Sequence, residues 1–295
     1  MKKDKLLSAV CLAGMLAALC ACTGNESAAV GHPKIAQSGA VAETELVLPE
    51  EVPVETSSTV KAYRLKVDLE EAKQEIERTF GITLSNPNLQ GEYVGADYTV
   101  TIDSETGYWT YEKKETYSAL EPSDSPISDA QAQTIATQLV EDNSLWSGEV
   151  YHTVVTDITE GGWNDEERLL GKSVYIYPSV EGAQIFGIFR LSISMDAAGE
   201  IFSVYKLAAD IGEAVPVAGK TRAALEEDFQ AGNYSDSCSE TLRAPGIEAG
   251  ELAYYADAQQ RNGAVYLYPV YVFTGEGTKR DGEQETFDVI LDAQT

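Results

Sequence analysis

Apolar side chains recur along this chain in two periods, and the alternation between the periods predicts helices followed by strands. Leu69, Ala72, Ile76 and Phe80 form a helical stripe, with Asp68 and Glu71 at capping-box spacing ahead of it and Gly81 as its stop. Period two then takes over: Tyr98, Val100 and Ile102 alternate with Thr99 and Thr101, and Asp103 to Gly107 turns the chain into a strand over Tyr108–Lys113. A second helix opens on Ser128 with Gln131 three residues later, and Ala132, Ile135, Ala136, Leu139 and Val140 lie on one of its faces. Strand-like runs follow at Val150–Ile158, Ser173–Tyr177, Phe186–Met195 and Ile201–Leu207. In the third of these Phe189, Leu191, Ile193 and Met195 alternate with Arg190, Ser192 and Ser194, predicting one buried face and one wet face. A third helix, Thr221–Ala231, is closed by Gly232 and precedes strands at Leu252–Ala258, Ala264–Phe273 and Thr286–Leu291. The recurring order predicts an α+β fold of repeated helix plus antiparallel β-meander units, with no parallel sheet and crossover helices.

The first residues carry a different pattern. Lys2, Lys3 and Lys5 precede an uncharged, mostly apolar run from Leu6 to Leu19, shorter than the roughly 20 residues of a membrane span. A basic start, a short apolar run and a small residue before the cut describe an exported precursor. Leu19-Cys20-Ala21-Cys22 resembles a bacterial lipobox, and that resemblance implies cleavage before Cys22 and lipid attachment to it. Cys20 departs from the pattern, where Ala, Ser or Thr is usual. Cleavage before Cys20 would put Leu19 at the tight position, which favours Cys22. The expected organisation is a lipoprotein signal peptide over 1–21, a flexible acidic tether over 22–59, an N-terminal helix-hairpin unit over 60–119 and a C-terminal α+β domain of two further units over 120–295. From Thr23 to Thr59 the tether has no Phe, Tyr or Trp and a single Lys34, and as a coil it reaches roughly 35 Å. Within it, Leu46-Val47-Leu48 is an apolar patch able to dock on the folded body, and Pro49 and Pro53 limit any strand there.

Composition narrows the partners. The chain carries a formal charge of −27, and residues 1–21, with three Lys against Asp4, hold +2 of it, so the mature chain stands at −29. That balance argues against nucleic acid, whose phosphates need clustered Lys and Arg. It also argues against adsorption to anionic lipid by charge, which leaves the acyl anchor as the membrane link. A hydrophobic content of 43% supports a sizeable core. Of the four Cys, Cys11 and Cys20 leave with the signal and Cys22 is acylated, so Cys238 stays alone. It sits among Ser and Asp residues, without a basic neighbour to activate it, and reads as an inert thiol.

Helix, long hairpin, an Asp-x-x-Gly-type turn, a second helix and then Tyr266-Leu267-Tyr268-Pro269-Val270-Tyr271-Val272-Phe273 resemble the extracytoplasmic part of the YycH/YycI accessory proteins and the wider PepSY-like class. The likeness covers residues 120–295, and the 60–119 unit resembles a single PepSY-like repeat. The chain is also similar to exported lipoproteins of unknown function from Gram-positive anaerobes. The resemblance implies a non-enzymatic role with contact to a sensor kinase or protease. YycH and YycI touch their kinase through a transmembrane helix, which this sequence does not show.

The candidate chemistry is sparse. Only His32 and His152 are present and His32 lies in the tether, so no two-His metal site is expected on the body. There is no Gly-x-Ser-x-Gly elbow, Walker loop or dinucleotide fingerprint. Asp165-Glu166-Glu167 is the densest carboxylate run, but it lacks the alternating ligand spacing of a calcium loop and reads as a solvated charge run. Sixteen Tyr are the other oddity: Tyr175 and Tyr177 share a strand face, as do Tyr266 and Tyr268. If Val265, Leu267, Tyr271 and Phe273 face the core, Tyr266, Tyr268, Val270 and Val272 share the opposite face. That face is then either a wet contact surface centred on Tyr266 and Tyr268 or a second packed face.

These features predict a surface-anchored, non-catalytic lipoprotein on the extracytoplasmic face of the cell membrane. It is expected to need no cofactor and to act through contact with an envelope protein in sensing or regulation. A solute- or glycan-binding lipoprotein is the alternative, which a deep pocket lined by Tyr and Trp would favour. An enzyme would show two acids facing each other across a cleft.

Overall fold

Each helix is set by its first and last residues. The Asp68 carboxylate accepts the Glu71 N–H at 3.0 Å and opens α1 (Leu69–Phe80); Gly81, left-handed at φ 62°, closes it. Ser128 and Gln131 form the full capping box of α2 (Asp129–Asp142). Thr221 accepts the Ala224 N–H and opens α3 (Arg222–Ala231), which ends on left-handed Gly232. The first two lie where the apolar stripes place them, and the third over the Thr221–Ala231 stretch expected of it. In this computed structural model residues 30–35, 46–114, 120, 121, 123, 125–160, 168–257 and 264–295 are described. The described residues from His32 on belong to one compact unit, and residues 30 and 31 fall outside it.

Between the helices the chain is strand. In chain order the strands are β1 (Thr59–Leu65), β2 (Glu92–Val94), β3 (Tyr98–Ile102), β4 (Trp109–Lys113), β5 (Val150–Glu160), β6 (Arg168–Val180), β7 (Ala183–Gly187), β8 (Arg190–Asp196), β9 (Ile201–Leu207), β10 (Ile211–Ala218), β11 (Ser235–Asp236), β12 (Arg243–Ala256), β13 (Tyr266–Thr278) and β14 (Gln284–Asp292). The main path runs β10-β1-β13-β12-β7-β6-β8-β9-β4-β3-β2; β14 lies on β13, β11 on β14, and β5 on β6. Every pairing is antiparallel except a short parallel contact of β12 with β7, Tyr254 to Ala256 against Ile185 to Gly187.

The expected α+β fold of repeated helix plus β-meander units is therefore wrong. The fold is mostly β, a mixed sheet in which three helices are minor elements among the described residues. A meander that stood alone would leave unpaired N–H and C=O groups along both edges. Here those edges pair with strands distant in sequence. β4 pairs with β9, Trp109 opposite Lys206, and β1 lies between β10 and β13. The strand expected over Phe186–Met195 is broken into β7 and β8 at Gly187, φ +86°, where a Cβ would come 2.3 Å from the Ala256 carbonyl oxygen.

Two large cores result. In the first, Ala72 and Ile76 of α1 and Ala132, Ala136 and Val140 of α2 cover Val100, Trp109, Val174, Leu191, Ile193 and Val204. In the second, Leu225 and Phe229 of α3 pack with Tyr271, Phe273, Phe287, Val289 and Leu291. Leu46, Leu48 and Val52 are buried in that second core, so the apolar patch ahead of β1 is docked. Arg222 holds it there, donating to the Val52 carbonyl at 2.7 Å and to that of Pro49.

Candidate functional site

Cys22 and Asp165 to Glu167 lie outside the described residues. Tyr266 and Tyr268 are described, and each is only 7% exposed. The face of Tyr266, Tyr268, Val270 and Val272, read as either a wet contact or a second packed face, is packed, because strand β13 has apolar cover on both sides. Val270 and Val272 form a third small core with Ala253, against which Ile35 packs. Beside Ile35, His32 Nδ1 lies 2.6 Å from the Asp292 carboxylate and the Lys34 N–H donates to Asp257 at 3.0 Å. Burial, with Asp257 second, pushes the Tyr268 hydroxyl up to about 12. Cys238 is likewise pushed up to about 12, first by burial and then by Asp236, so its thiol holds its proton at neutral pH. Among the described residues no group of three or more His, Cys, Asp or Glu is arranged to hold a metal. No described helix is long and apolar enough to cross a membrane.

Two places bring polar or exposed groups together. The first is a cleft of about 250 Å³ beside α1, lined by Lys66, Asp68, Glu71, Glu75, Trp109 and Lys206 among others. Its floor is an ion pair: Lys206 Nζ of β9 donates to Glu75 Oε2 at 2.6 Å, and Trp109 Nε1 of β4 donates to Oε1 at 2.7 Å. Glu75 is 6% exposed. Both its oxygens accept from these neighbours, so the carboxylate pins α1 to the sheet. The sequence held a signal for this, a carboxylate three residues after Ala72 on the apolar stripe, which the stripe count passed over.

The second place is β5. It pairs with β6 from Val150 opposite Pro178 to Glu160 opposite Arg168, with register shifts at Val150/His152 and Ile158/Thr159, and among the described residues its other side has no strand. Val150, Tyr151 and Val154 are exposed at 48%, 45% and 38%, three of the eight exposed large apolar side chains described. Val155 packs toward α2 and the first core, while Val154 sits across from Tyr175. The ring of His152 stacks on Tyr177 at 4.6 Å and meets Tyr151 edge-on at 5.3 Å, which makes it a half-buried structural residue. Tyr175 carries the Arg190 guanidinium 5.9 Å above its ring. Tyr175 and Tyr177 thus belong to this face, whereas Tyr266 and Tyr268 do not reach a surface of comparable exposure.

No protein-family model matches the chain, and no curated protein matches it. Among solved structures it is similar to an uncharacterized protein from Eubacterium rectale ATCC 33656, with a TM-score of 0.43 and 11% identity over 85% of this chain and 91% of that one. It is also similar to the Bacillus megaterium YpeB C-terminal domain, with a TM-score of 0.35 and 13% identity over 79% of this chain and 95% of that one.

Proposed function

We propose that this chain is a lipid-anchored extracytoplasmic protein without catalytic activity, which holds another protein in envelope sensing or regulation. The observation that carries this reading is the exposed apolar cluster of Val150, Tyr151 and Val154 on the β5 margin of a strongly acidic body. The α1 cleft supports it from the other side. Six of its fourteen lining residues are charged, Trp109 is its sole aromatic, and its volume is below the roughly 300–1,000 Å³ usual for small-molecule sites; a second cavity, of about 390 Å³ and lined by Arg64, Leu65, Val67, Ser104, Glu105, Ala264 and Val265, has no Tyr or Trp. Glu75, the acid at its floor, is engaged through both oxygens.

Crosslinking in intact cells followed by capture tests the contact. A Tyr151→Ser/Val154→Ser variant should lose a crosslinked species that the wild type forms, with its melting temperature unchanged. Equal capture by both would remove β5 from the contact. The anchor has its own test: Cys22→Ser should leave the precursor uncut and unlipidated by intact mass, and cleavage at another residue would refute it.

A further inference from the structure

The geometry points to β5 as a docking strand for an extended, basic segment of another protein, joined by strand addition along its open side. This deepens the contact reading above and rests on it.

The first ground is the edge itself. An outer strand turns the N–H and C=O of every second residue away from its neighbour, and folded proteins guard such rows with shortness, Pro or charge. The other outer strands described here are guarded: β2 has three residues, β11 has two, and β10 carries Glu213 and Pro216. By contrast β5 has 11 residues; register shifts at Val150/His152 and Ile158/Thr159 and the carboxylates of Asp157 and Glu160 guard its two ends, but His152 to Thr156 between them contain no charged residue, Pro or Gly.

The second ground is charge. The described residues between 120 and 160 hold seven Asp and Glu and not one Lys or Arg. The cations nearby are already engaged: Lys172 bridges Asp129 and Asp157, Arg168 pairs with Glu160, and the Arg190 guanidinium lies over the Tyr175 ring. A second copy of this chain would bring a like charge of −27 and the same acidic strand to the joint, so self-pairing is disfavoured. A segment carrying Lys or Arg gains both backbone pairing and field. Its alternate apolar side chains would meet Val154 on one face of the edge, beside the His152 and Tyr177 rings.

The experiment uses the full mature chain and synthetic probes of about ten residues, the span of an ordinary strand. One probe alternates Val and Lys, one alternates Val and Glu, and one is the Val-Lys peptide N-methylated on alternate amides so that it cannot pair. The Val-Lys probe should slow amide exchange across residues 152–158. Its affinity should exceed that of the other two by about tenfold or more and fall as salt rises. A Val154→Lys/Thr156→Lys variant, altered only at exposed positions, should keep its melting temperature and lose the same affinity. Protection elsewhere, equal binding of the N-methylated probe, or a β5-protected dimer in sedimentation without any probe would each overturn the proposal. If that variant still captures the cellular partner in full yield, strand addition is wrong while protein contact stands. If the wild type captures no partner at all, the contact reading itself falls.

Discussion

The Glu75–Lys206 pair offers the sharpest test of how this fold is held. Its side chains are 8% and 13% exposed and its charged atoms are 2.6 Å apart. At an effective dielectric of about 20, that separation gives an attraction of about 6 kcal/mol. Desolvation of the two ions, several kcal/mol each, cancels most or all of it. The pair as a whole is therefore worth little, but either charge left alone in that position is costly. Lys206→Met should destabilise by about 3–5 kcal/mol, because it strands a carboxylate that keeps only the Trp109 N–H. Glu75→Gln should cost less, since the amide oxygen still accepts from Trp109 and Lys206 can turn toward the cleft. The double variant should cost less than Lys206→Met alone, a coupling of about 2–3 kcal/mol in a double-mutant cycle. Denaturant melts of all four proteins read this directly. For a unit of this size Lys206→Met should lower the melting temperature by about 6–20 °C. Additive effects within about 0.5 kcal/mol would refute the reasoning, since the two charges would then act independently.

Three further outcomes follow from other parts of the molecule. Arg222→Ala should release the backbone of residues 49–52 from α3 and speed proteolytic cleavage near Glu50 and Glu51; an unchanged cleavage map would mean that Leu46, Leu48 and Val52 hold the segment without it. Cys238, with its pKa pushed up to about 12, should react with iodoacetamide at pH 8 far more slowly than in the denatured chain, and equal rates would show an open thiol. Hydrogen bonds from Lys61, Lys113 and the Ser239 backbone hold Glu181, Glu200 and Glu285 respectively below the ordinary carboxylate value of 4.5. Their stabilisation is present above that value and is lost as pH falls below it, so thermal stability should decline there by a small amount suited to exposed pairs; a melting temperature that keeps rising below pH 4.5 would contradict the sign.

What could be read from the sequence depended on how local each signal was. Helix ends are local, and Asp68, Ser128, Thr221, Gly81 and Gly232 stand in the structure where their spacing put them. Strands with clean alternation, β3 and β9, were equally legible. The missing strands had their signal masked. Pro216 makes β10 read as a break, yet β10 is an outer strand where Pro is tolerated. β1 lies against the acidic tether, and its burial comes from partners 150 to 200 residues away. Sheet order is the least local property of all, because the pairings of β4 with β9 and of β12 with β7 leave no mark on either strand alone. That same non-locality decided two strand faces. The face of Tyr266 and Tyr268 could be read as wet or packed, since its cover comes from Ile35 and neighbouring strands rather than from a helix beside it. β5 showed nothing more than an ordinary alternating run until the structure left one of its sides without a strand among the described residues. An outer strand whose centre carries no charge or Pro invites aggregation unless something binds it, so the proposed partner rests on the position of β5 in the sheet more than on its composition.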